Sequence, residues 1–216
     1  MKSRLILKEA LLSEIKTLAH KRNINPQYPI TDLMLSPSES DYVEKITNNL
    51  ETYNPFPKLL LYGVNLLDGI WQLHYSTARE IRSLNQLPFG FKLKQVYQII
   101  DTQKASFFNI AFVKDSTGLI SGYVKVTATF SPKIAENEVL PNDIINVNFE
   151  KRYISIKKIL GIKTSIFDPI KVFNARNPQG RIPSLKVTYI DESLRIGRGG
   201  DGSLFILSKQ KSMVND

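Results

Sequence analysis

The 216-residue chain contains no cysteine and only two histidines, His20 and His74. The absence of cysteine excludes a disulfide framework, a thiolate nucleophile, an iron–sulfur cluster and a cysteine-based zinc site. Neither histidine has a second metal ligand or a catalytic-triad partner near it in the sequence. The sequence therefore predicts no metal site, no cofactor and no enzymatic activity.

Long hydrophobic runs are also lacking. The longest, residues 59–67, is interrupted by Asn65 and is much shorter than the roughly 20 residues of a membrane-spanning helix. Residues 1–22 begin with basic side chains, but Glu9 and Glu14 lie inside their apolar pattern and no small-residue cleavage site follows. We expect a protein that is neither secreted nor transmembrane.

Acidic residues are fewer than basic ones, 20 against 29, which gives a formal charge of +9. The basic excess is concentrated at the two ends of the chain. A positive charge of this size suits a nucleic acid or an anionic membrane surface. The basic residues do not alternate with aromatic ones as in a base-stacking platform, and no helix-turn-helix pattern occurs. Nucleic acid is therefore not expected as a partner.

The first quarter of the chain has a helical apolar period. Leu7, Leu11, Ile15 and Leu18 predict an amphipathic helix that ends before Pro26. A second helix is predicted where Asp41 and Glu44 have the spacing of a capping box. Its apolar face consists of Val43, Ile46, Leu50 and Tyr53.

After residue 68 the apolar period changes to two, which predicts short strands. The predicted strands are 70–77, 93–101, 106–113, 122–131, 144–149, 153–159, 184–191, 194–196 and 203–207. This pattern predicts a mainly β protein with N-terminal helices, built as an antiparallel barrel of roughly eight strands or as a sandwich. We divide the chain into a helical extension (1–58), a barrel domain (59–210) and a tail (211–216).

Several predicted strands are apolar on both faces, as in residues 106–113. Such strands need a cover outside the barrel as well as a core inside it, and the two helices are the available cover. An ordinary edge-to-core gradient in a sandwich is the alternative explanation.

Three segments carry a family resemblance: Asp-Gly-Ile-Trp-Gln-Leu-His-Tyr-Ser-Thr at 68–77, Tyr-Gln-Ile-Ile-Asp at 97–101, and the glycine-rich double hairpin at 189–207. In these segments the sequence resembles the plastid lipid-associated proteins, or plastid fibrillins, of plants, algae and cyanobacteria. The resemblance implies a lipocalin-like barrel without catalytic activity. It also implies a role at thylakoids or lipid globules in binding or organising prenylquinones, carotenoids and other lipids.

Four aromatic residues are candidates for the lining of an apolar ligand cavity: Trp71, Tyr75, Tyr97 and Phe107. A barrel of eight strands is just wide enough to hold one small ligand or to be filled by side chains. The sequence does not separate these two possibilities. We state the first as an expectation: an apolar cavity open at one end.

Two arginines near the C-terminal hairpins, Arg195 and Arg198, are predicted to point one inward and one outward. An inward arginine needs a charge partner or an aromatic ring, for which Asp191, Glu192 and Trp71 are the candidates. The functional alternative is that Asp191, Arg195 and Arg198 contribute to binding a lipid head group or a quinone carbonyl.

Residues 151–163 contain five basic side chains and no acidic one. Cations beside exposed apolar residues suit an anionic membrane surface, at about 1 kcal/mol for each cation. The predicted membrane contacts are Lys157, Lys158, Ile162, Lys163 and Phe167. A strand with a solvated basic face is the alternative.

The sequence thus predicts a non-enzymatic protein that binds hydrophobic small molecules or lipids at a membrane surface. The expected location is the thylakoid or a lipid globule, on the cytoplasmic side in a cyanobacterium or the stromal side in a plastid. Without a leader resembling a transit peptide, we expect a cyanobacterial protein or a trimmed plastid one. The alternative function is an interaction module that docks on an enzyme of lipid or quinone synthesis through the N-terminal helices.

Overall fold

The computed structural model describes residues 2–84, 86–87, 90–134, 138–175 and 182–214. Within these ranges the strands, in chain order, are β1 (Ile30–Thr31), β2 (Gly69–Ser76), β3 (Lys92–Asp101), β4 (Ser106–Lys114), β5 (Ser121–Pro132), β6 (Ile144–Ile159), β7 (Ile162–Lys163), β8 (Lys171–Asn174), β9 (Ser184–Ile190), β10 (Leu194–Gly199) and β11 (Leu204–Gln210). Eight of them form a closed wall in the order β2-β11-β10-β9-β6-β5-β4-β3, and β3 pairs again with β2. The wall is antiparallel throughout, which confirms the predicted barrel and excludes the sandwich.

Differences from the predicted strands have simple causes. The predicted strands 144–149 and 153–159 are one continuous strand, β6, which pairs with β5 along its length and has a register shift midway. The strands β1, β7 and β8 were not predicted because two to four residues are too few to show an alternating period.

The helices are α1 (Lys2–Lys21), α2 (Pro37–Glu51), α3 (Leu59–Tyr62) and α4 (Arg79–Leu84). The predicted capping box at Asp41 is wrong. Instead the Ser36 side chain accepts a hydrogen bond from the Glu39 amide, and the Glu39 carboxylate accepts one from the Ser36 amide. Among the described residues no helix is long and apolar enough to cross a membrane.

An outer cluster of buried residues joins α1 and α2 to the outside of the barrel wall. The helices contribute Leu11, Ile15, Leu18, Val43, Ile46 and Leu50, and β2, β9, β10 and β11 contribute Tyr75, Tyr189, Leu194, Ile196, Leu204 and Ile206. This confirms that the helices cover apolar outer faces of the strands. The helical residues in this cluster are therefore not exposed to a second protein, whereas Tyr53, predicted on the same face, lies beyond the end of α2 and is 49% exposed.

An inner cluster fills the barrel. Its members from the wall include Trp71, Leu73, Val96, Ile100, Phe107, Ala111, Ala128, Val147 and Leu207. At one end the segment before β2 supplies Leu59 and Leu67, and Ile81 and Leu84 of α4 also pack against the cluster. Helices α1 and α2 thus contribute to the outer cluster but not to the inner one. The domain boundary at residue 58 stays a prediction.

Candidate functional site

Trp71 belongs to the inner cluster. It is fully buried, and its indole Nε1 donates a hydrogen bond of 2.7 Å to the main-chain oxygen of Leu67. Gly69 has a φ of +107°, a backbone conformation that residues other than glycine rarely adopt. The chain therefore turns sharply into β2 at Gly69, which aims the indole into the barrel.

Arg195 points inward from β10 and is 2% exposed. Its guanidinium carbon lies 4.9 Å from the centre of the Trp71 ring, and Nη2 donates a hydrogen bond to Oε1 of Gln98. Burial lowers the pKa of this guanidinium to about 9. The predicted contact with Trp71 is confirmed, whereas the predicted charge partner Asp191 is wrong, because Asp191 is engaged on the outside of the barrel.

The barrel interior contains a cavity of about 20 Å³ beside Arg195 and Gln98. Its apolar lining comes from Leu67, Ile100, Phe107, Phe130, Ile145, Val147, Leu185 and Val187. A single water molecule needs about 10–15 Å³ of such space, so an isoprenoid chain does not fit. A more open cavity of about 370 Å³ lies beside it, shares Phe130 and Val147 with it, and is also lined by Thr129, Ser131, Asn146, Asn148, Ile182 and Pro183. The space beside Arg195 is thus closed to an isoprenoid chain, and the apolar cavity open at one end stays a prediction.

The four candidate lining residues lie in two different layers. Trp71 and Phe107 belong to the inner cluster, where the ring of Phe107 meets Phe149 edge-on with 6.5 Å between centroids. Tyr75 is buried in the outer cluster, with its hydroxyl 3.4 Å from that of Ser40 on α2. Tyr97 also faces outward, and its hydroxyl lies 3.2 Å from both the main-chain nitrogen and oxygen of Val214. Tyr75 and Tyr97 therefore do not line the interior, contrary to the sequence-based expectation.

Asp191 fastens α1 to the barrel. Its carboxylate accepts hydrogen bonds of 2.8 Å from the Lys8 amino group and from the amides of Ser193 and Leu194, and one of 2.7 Å from the Tyr189 hydroxyl. Burial acts to raise the pKa of Asp191, but these hydrogen bonds outweigh it and lower that pKa. Asp191 thus has a structural role at the hairpin and the helix.

Arg198 fastens α2 in the same way. It points outward, as predicted for one of the two arginines. Its guanidinium donates to both carboxylate oxygens of Glu51, at 2.8 and 3.0 Å, and lies 2.7 Å from a carboxylate oxygen of Glu44. Its donors therefore face two carboxylates rather than a ligand.

Arg198→Gln is expected to lower the free energy of unfolding by about 1.5–3 kcal/mol, because half-buried charged hydrogen bonds between α2 and β10 are lost. Urea titration of the variant beside Lys104→Gln measures this effect. Lys104 pairs with Asp101 at an exposed position, where loss of the ion pair costs at most about 1 kcal/mol. Equal stabilities of the two variants would contradict the role of Arg198.

The barrel has one strongly apolar and basic rim, formed by residues 157–173, which we call the basic rim. It contains the end of β6, β7 and β8. Leu160, Ile162 and Ile166 are 72%, 72% and 82% exposed, and Ile170 and Val172 are also exposed. Lys158, Lys163 and Lys171 lie among these residues and take part in no ion pair of the described structure.

The predicted membrane contacts differ in their exposure within the basic rim. Ile162 and Lys163 are exposed, whereas Lys158 and Phe167 are half-buried. The amino group of Lys157 lies 2.6 Å from the carboxylate of Asp168 and, by donating to it, holds the pKa of Asp168 at about 2. Lys157 is therefore neutralised within the protein, unlike the other cations of the rim.

Sequence reasoning missed Gln98, Lys209 and Leu160. Gln98 lies on a correctly predicted strand, but its partner Arg195 is 97 positions away in sequence and no local signal connects the two. The Lys209 amino group lies 5.2 Å from the centre of the Trp71 ring, but its position follows the last predicted strand. Leu160 had a detectable signal, since Leu160-Gly161 is a turn flanked by strand residues.

Metal binding and catalysis find no support in the described part of the chain. No group of three or more metal-ligating side chains occurs there. Burial lowers the pKa of His74 to about 4, and its ring Nε2 lies 2.7 Å from the Ser208 hydroxyl. His74 is thus a neutral, hydrogen-bonded residue of the barrel wall at physiological pH.

Most of the barrel and α2 fall within a match to a known protein family. The family model described as PAP_fibrillin matches residues 26–208. The chain belongs to this family. The match includes the barrel wall, α2, Trp71 and the double hairpin that carries Arg195 and Arg198.

Relatives of this fibrillin are named for plastids and their lipids. It is 30% identical over 209 residues to the chromoplast-specific carotenoid-associated protein of Cucumis sativus, with 81% of this chain and 62% of that protein covered. It is also 30% identical to plastid-lipid-associated protein 6 of Arabidopsis thaliana, covering 91% and 69%. Plastoglobulin-1 of Pisum sativum is 26% identical, covering 81% and 55%. The chain thus spans less than two thirds of the cucumber and pea proteins.

Proposed function

We propose that this fibrillin associates non-catalytically with lipid surfaces, and that the basic rim is its contact with them. The names of the relatives support association with plastid lipids. The cavity of about 20 Å³ beside Arg195 is too small for a carotenoid or prenylquinone, which argues against carriage of these molecules at that place. The protein would instead contact such molecules at the surface of a thylakoid membrane or lipid globule.

The main support for this proposal is the hairpin between β6 and β7. Leu160 and Gly161 form its two-residue turn, with φ angles of +51° and +82°. This turn geometry favours Asn-Gly, and a leucine there adopts a backbone conformation that its side chain disfavours. Leu160 gains no compensating packing, since it is 72% exposed. A lipid surface would bury the Leu160 side chain, and this burial would offset the cost of a leucine in the turn.

Charge at the basic rim supports the same contact. Lys163 and Lys171 are exposed beside the apolar residues, and the carboxylate of Asp168 is neutralised by Lys157. Anionic lipid headgroups attract such cations at about 1 kcal/mol each. The combination of insertion and attraction is typical of reversible peripheral binding.

The protein is expected to sediment with vesicles containing anionic lipid and to be released by salt, because screening limits the reach of surface charges to about 8 Å at physiological ionic strength. Leu160→Asn creates the favoured Asn-Gly turn, so it should preserve or raise stability while weakening vesicle partitioning by about ten-fold or more. Quantitative vesicle co-sedimentation measures the partitioning, and thermal unfolding measures the stability.

Matched controls separate the rim from general surface effects. Val139→Asn changes an exposed apolar residue outside the rim, 90% exposed, and should leave vesicle partitioning unchanged. Lys163→Gln should weaken binding, whereas Lys45→Gln on α2 should not. Equal binding of the full chain to neutral and anionic vesicles, or unchanged partitioning of Leu160→Asn, would refute the proposal.

A further inference from the structure

Two cations of the described structure lie on the inner face of the barrel wall: Arg195, which is buried, and Lys209, which is half-buried and donates a hydrogen bond of 3.2 Å to the main-chain oxygen of Leu66. Arg195 and Lys209 both lie against the Trp71 ring, at 4.9 and 5.2 Å from its centre. Neither takes part in an ion pair within the described residues. A buried cation without a counter-charge is strongly unfavourable. The barrel interior therefore favours a group that brings negative charge.

The donors of Arg195 are only partly used. Nη2 donates to Gln98, but the buried Nε has no hydrogen-bond acceptor in the described structure. The cavity of about 20 Å³ is lined by Arg195 itself. Arg195 thus brings an unused donor and a positive charge to the lining of a small cavity.

The surroundings of this cavity select the kind of molecule that fits. Oε1 of Gln98 accepts from Arg195, and its Nε2 donates to Asn109 at 2.9 Å. The main-chain oxygen of Leu67 already accepts from the Trp71 indole, and the other lining residues are apolar. A water molecule brings two donors that need acceptors, whereas an anion only accepts. The site thus suits an anion better than water.

We propose that the barrel interior binds one small monovalent anion of about the size of a water molecule, such as chloride, at Arg195. The anion accepts a hydrogen bond from Nε and neutralises the guanidinium. This site is separate from the basic rim and does not depend on lipid binding. Its role is to stabilise the closed barrel around Trp71.

Thermal unfolding of the full chain in sodium chloride and in sodium gluconate of equal ionic strength tests the proposal, because gluconate is too large for the cavity. Chloride is expected to raise the melting temperature by about 2–4 °C once it exceeds its dissociation constant several-fold. The effect should saturate, unlike general screening. Equal melting temperatures in the two salts would overturn the proposal.

Gln98→Glu is the sharpest variant, because it keeps the side-chain shape and supplies a built-in carboxylate to Arg195. It should melt in gluconate at least as high as the unaltered chain melts in chloride, and it should lose the chloride response. Arg79→Gln, an exposed arginine of α4, should retain the response. A chloride response that survives in Gln98→Glu would place the anion elsewhere and overturn the assignment.

A spectroscopic measurement does not depend on any variant. Trp71 is the one tryptophan of the chain, and bromide quenches indole fluorescence on contact. Bromide should quench the buried Trp71 in a saturable manner, with chloride competing for the same site. Bromide quenching that neither saturates nor responds to chloride would count against the site.

Discussion

Removal of residues 1–58 is expected to give a barrel that melts at a clearly lower temperature than the full chain, or that aggregates. The outer cluster loses Leu11, Ile15, Leu18, Val43, Ile46 and Leu50. Each fully buried large side chain contributes roughly 1.5–3 kcal/mol before conformational entropy is subtracted. The facing strands would then expose apolar residues, including Tyr189 and Ile196, to water.

Circular dichroism melts of the truncated and full-length chains, recorded side by side, measure this effect. Two point variants serve as controls in the full chain. Leu11→Ala removes a fully buried residue and should cost about 2–5 kcal/mol, whereas Leu5→Ala, at a position 49% exposed, should cost about 0.5 kcal/mol or less. An unchanged melt of the truncated chain would show that the helices do not support the barrel.

Trp71→Ala is expected to lower the free energy of unfolding by roughly 3–5 kcal/mol, the usual cost of truncating a buried tryptophan. The indole is fully buried in the inner cluster, and its Nε1 donates a hydrogen bond to the main-chain oxygen of Leu67. Urea unfolding followed by circular dichroism measures the loss. Trp71→Phe is the matched control, since it keeps an aromatic ring beside Arg195 but loses the hydrogen bond. A cost below about 1 kcal/mol for Trp71→Ala would contradict the packing.

A double-mutant cycle tests the stacking of Arg195 on Trp71 directly. Residues in contact usually show a coupling of about 0.5–3 kcal/mol, whereas independent residues add within about 0.3–0.5 kcal/mol. We expect coupling between Trp71→Ala and Arg195→Gln. Simple additivity would mean that the ring and the guanidinium do not stabilise each other, even if each variant is unstable alone.

The barrel itself was predictable because its strands are long and alternate. The predicted strand 93–101 and the observed Lys92–Asp101 differ by a single residue, and several of the turns between strands contain glycine or aspartate. The helix cover was predictable for a related reason: strands apolar on both faces need an additional layer.

Which face of each strand points inward was not predictable. Alternation groups Tyr75 with Trp71, but the pairing of β11 with β2 shifts register between Ile206 and Leu207. Tyr75 therefore faces α2 on the outside of the wall, and Tyr97 faces the C-terminal residues. Where both faces are buried, hydrophobicity does not distinguish them. A register shift then changes the layer to which a residue belongs.

The start of α2 shows a second limit. Ser36…Glu39 and Asp41…Glu44 both have the spacing of a capping motif. Pro37 decides between them, because proline is favoured at the first helical position and disfavoured inside a helix. The partners of Arg195 show a third limit: Gln98 is far from it in sequence, and distant neutral partners leave no local charge pattern.

The outer cluster has a consequence for how the protein is made. Lys8 and Asp191, which hold α1 on the barrel, are separated by 183 positions. During synthesis both helices leave the ribosome long before β9, β10 and β11, the strands on which they pack. The apolar faces of α1 and α2 therefore stay uncovered until these strands have been made, and contacts between such distant segments form slowly. The two helices are thus made well before the strands on which they pack and are among the last elements to reach their final place.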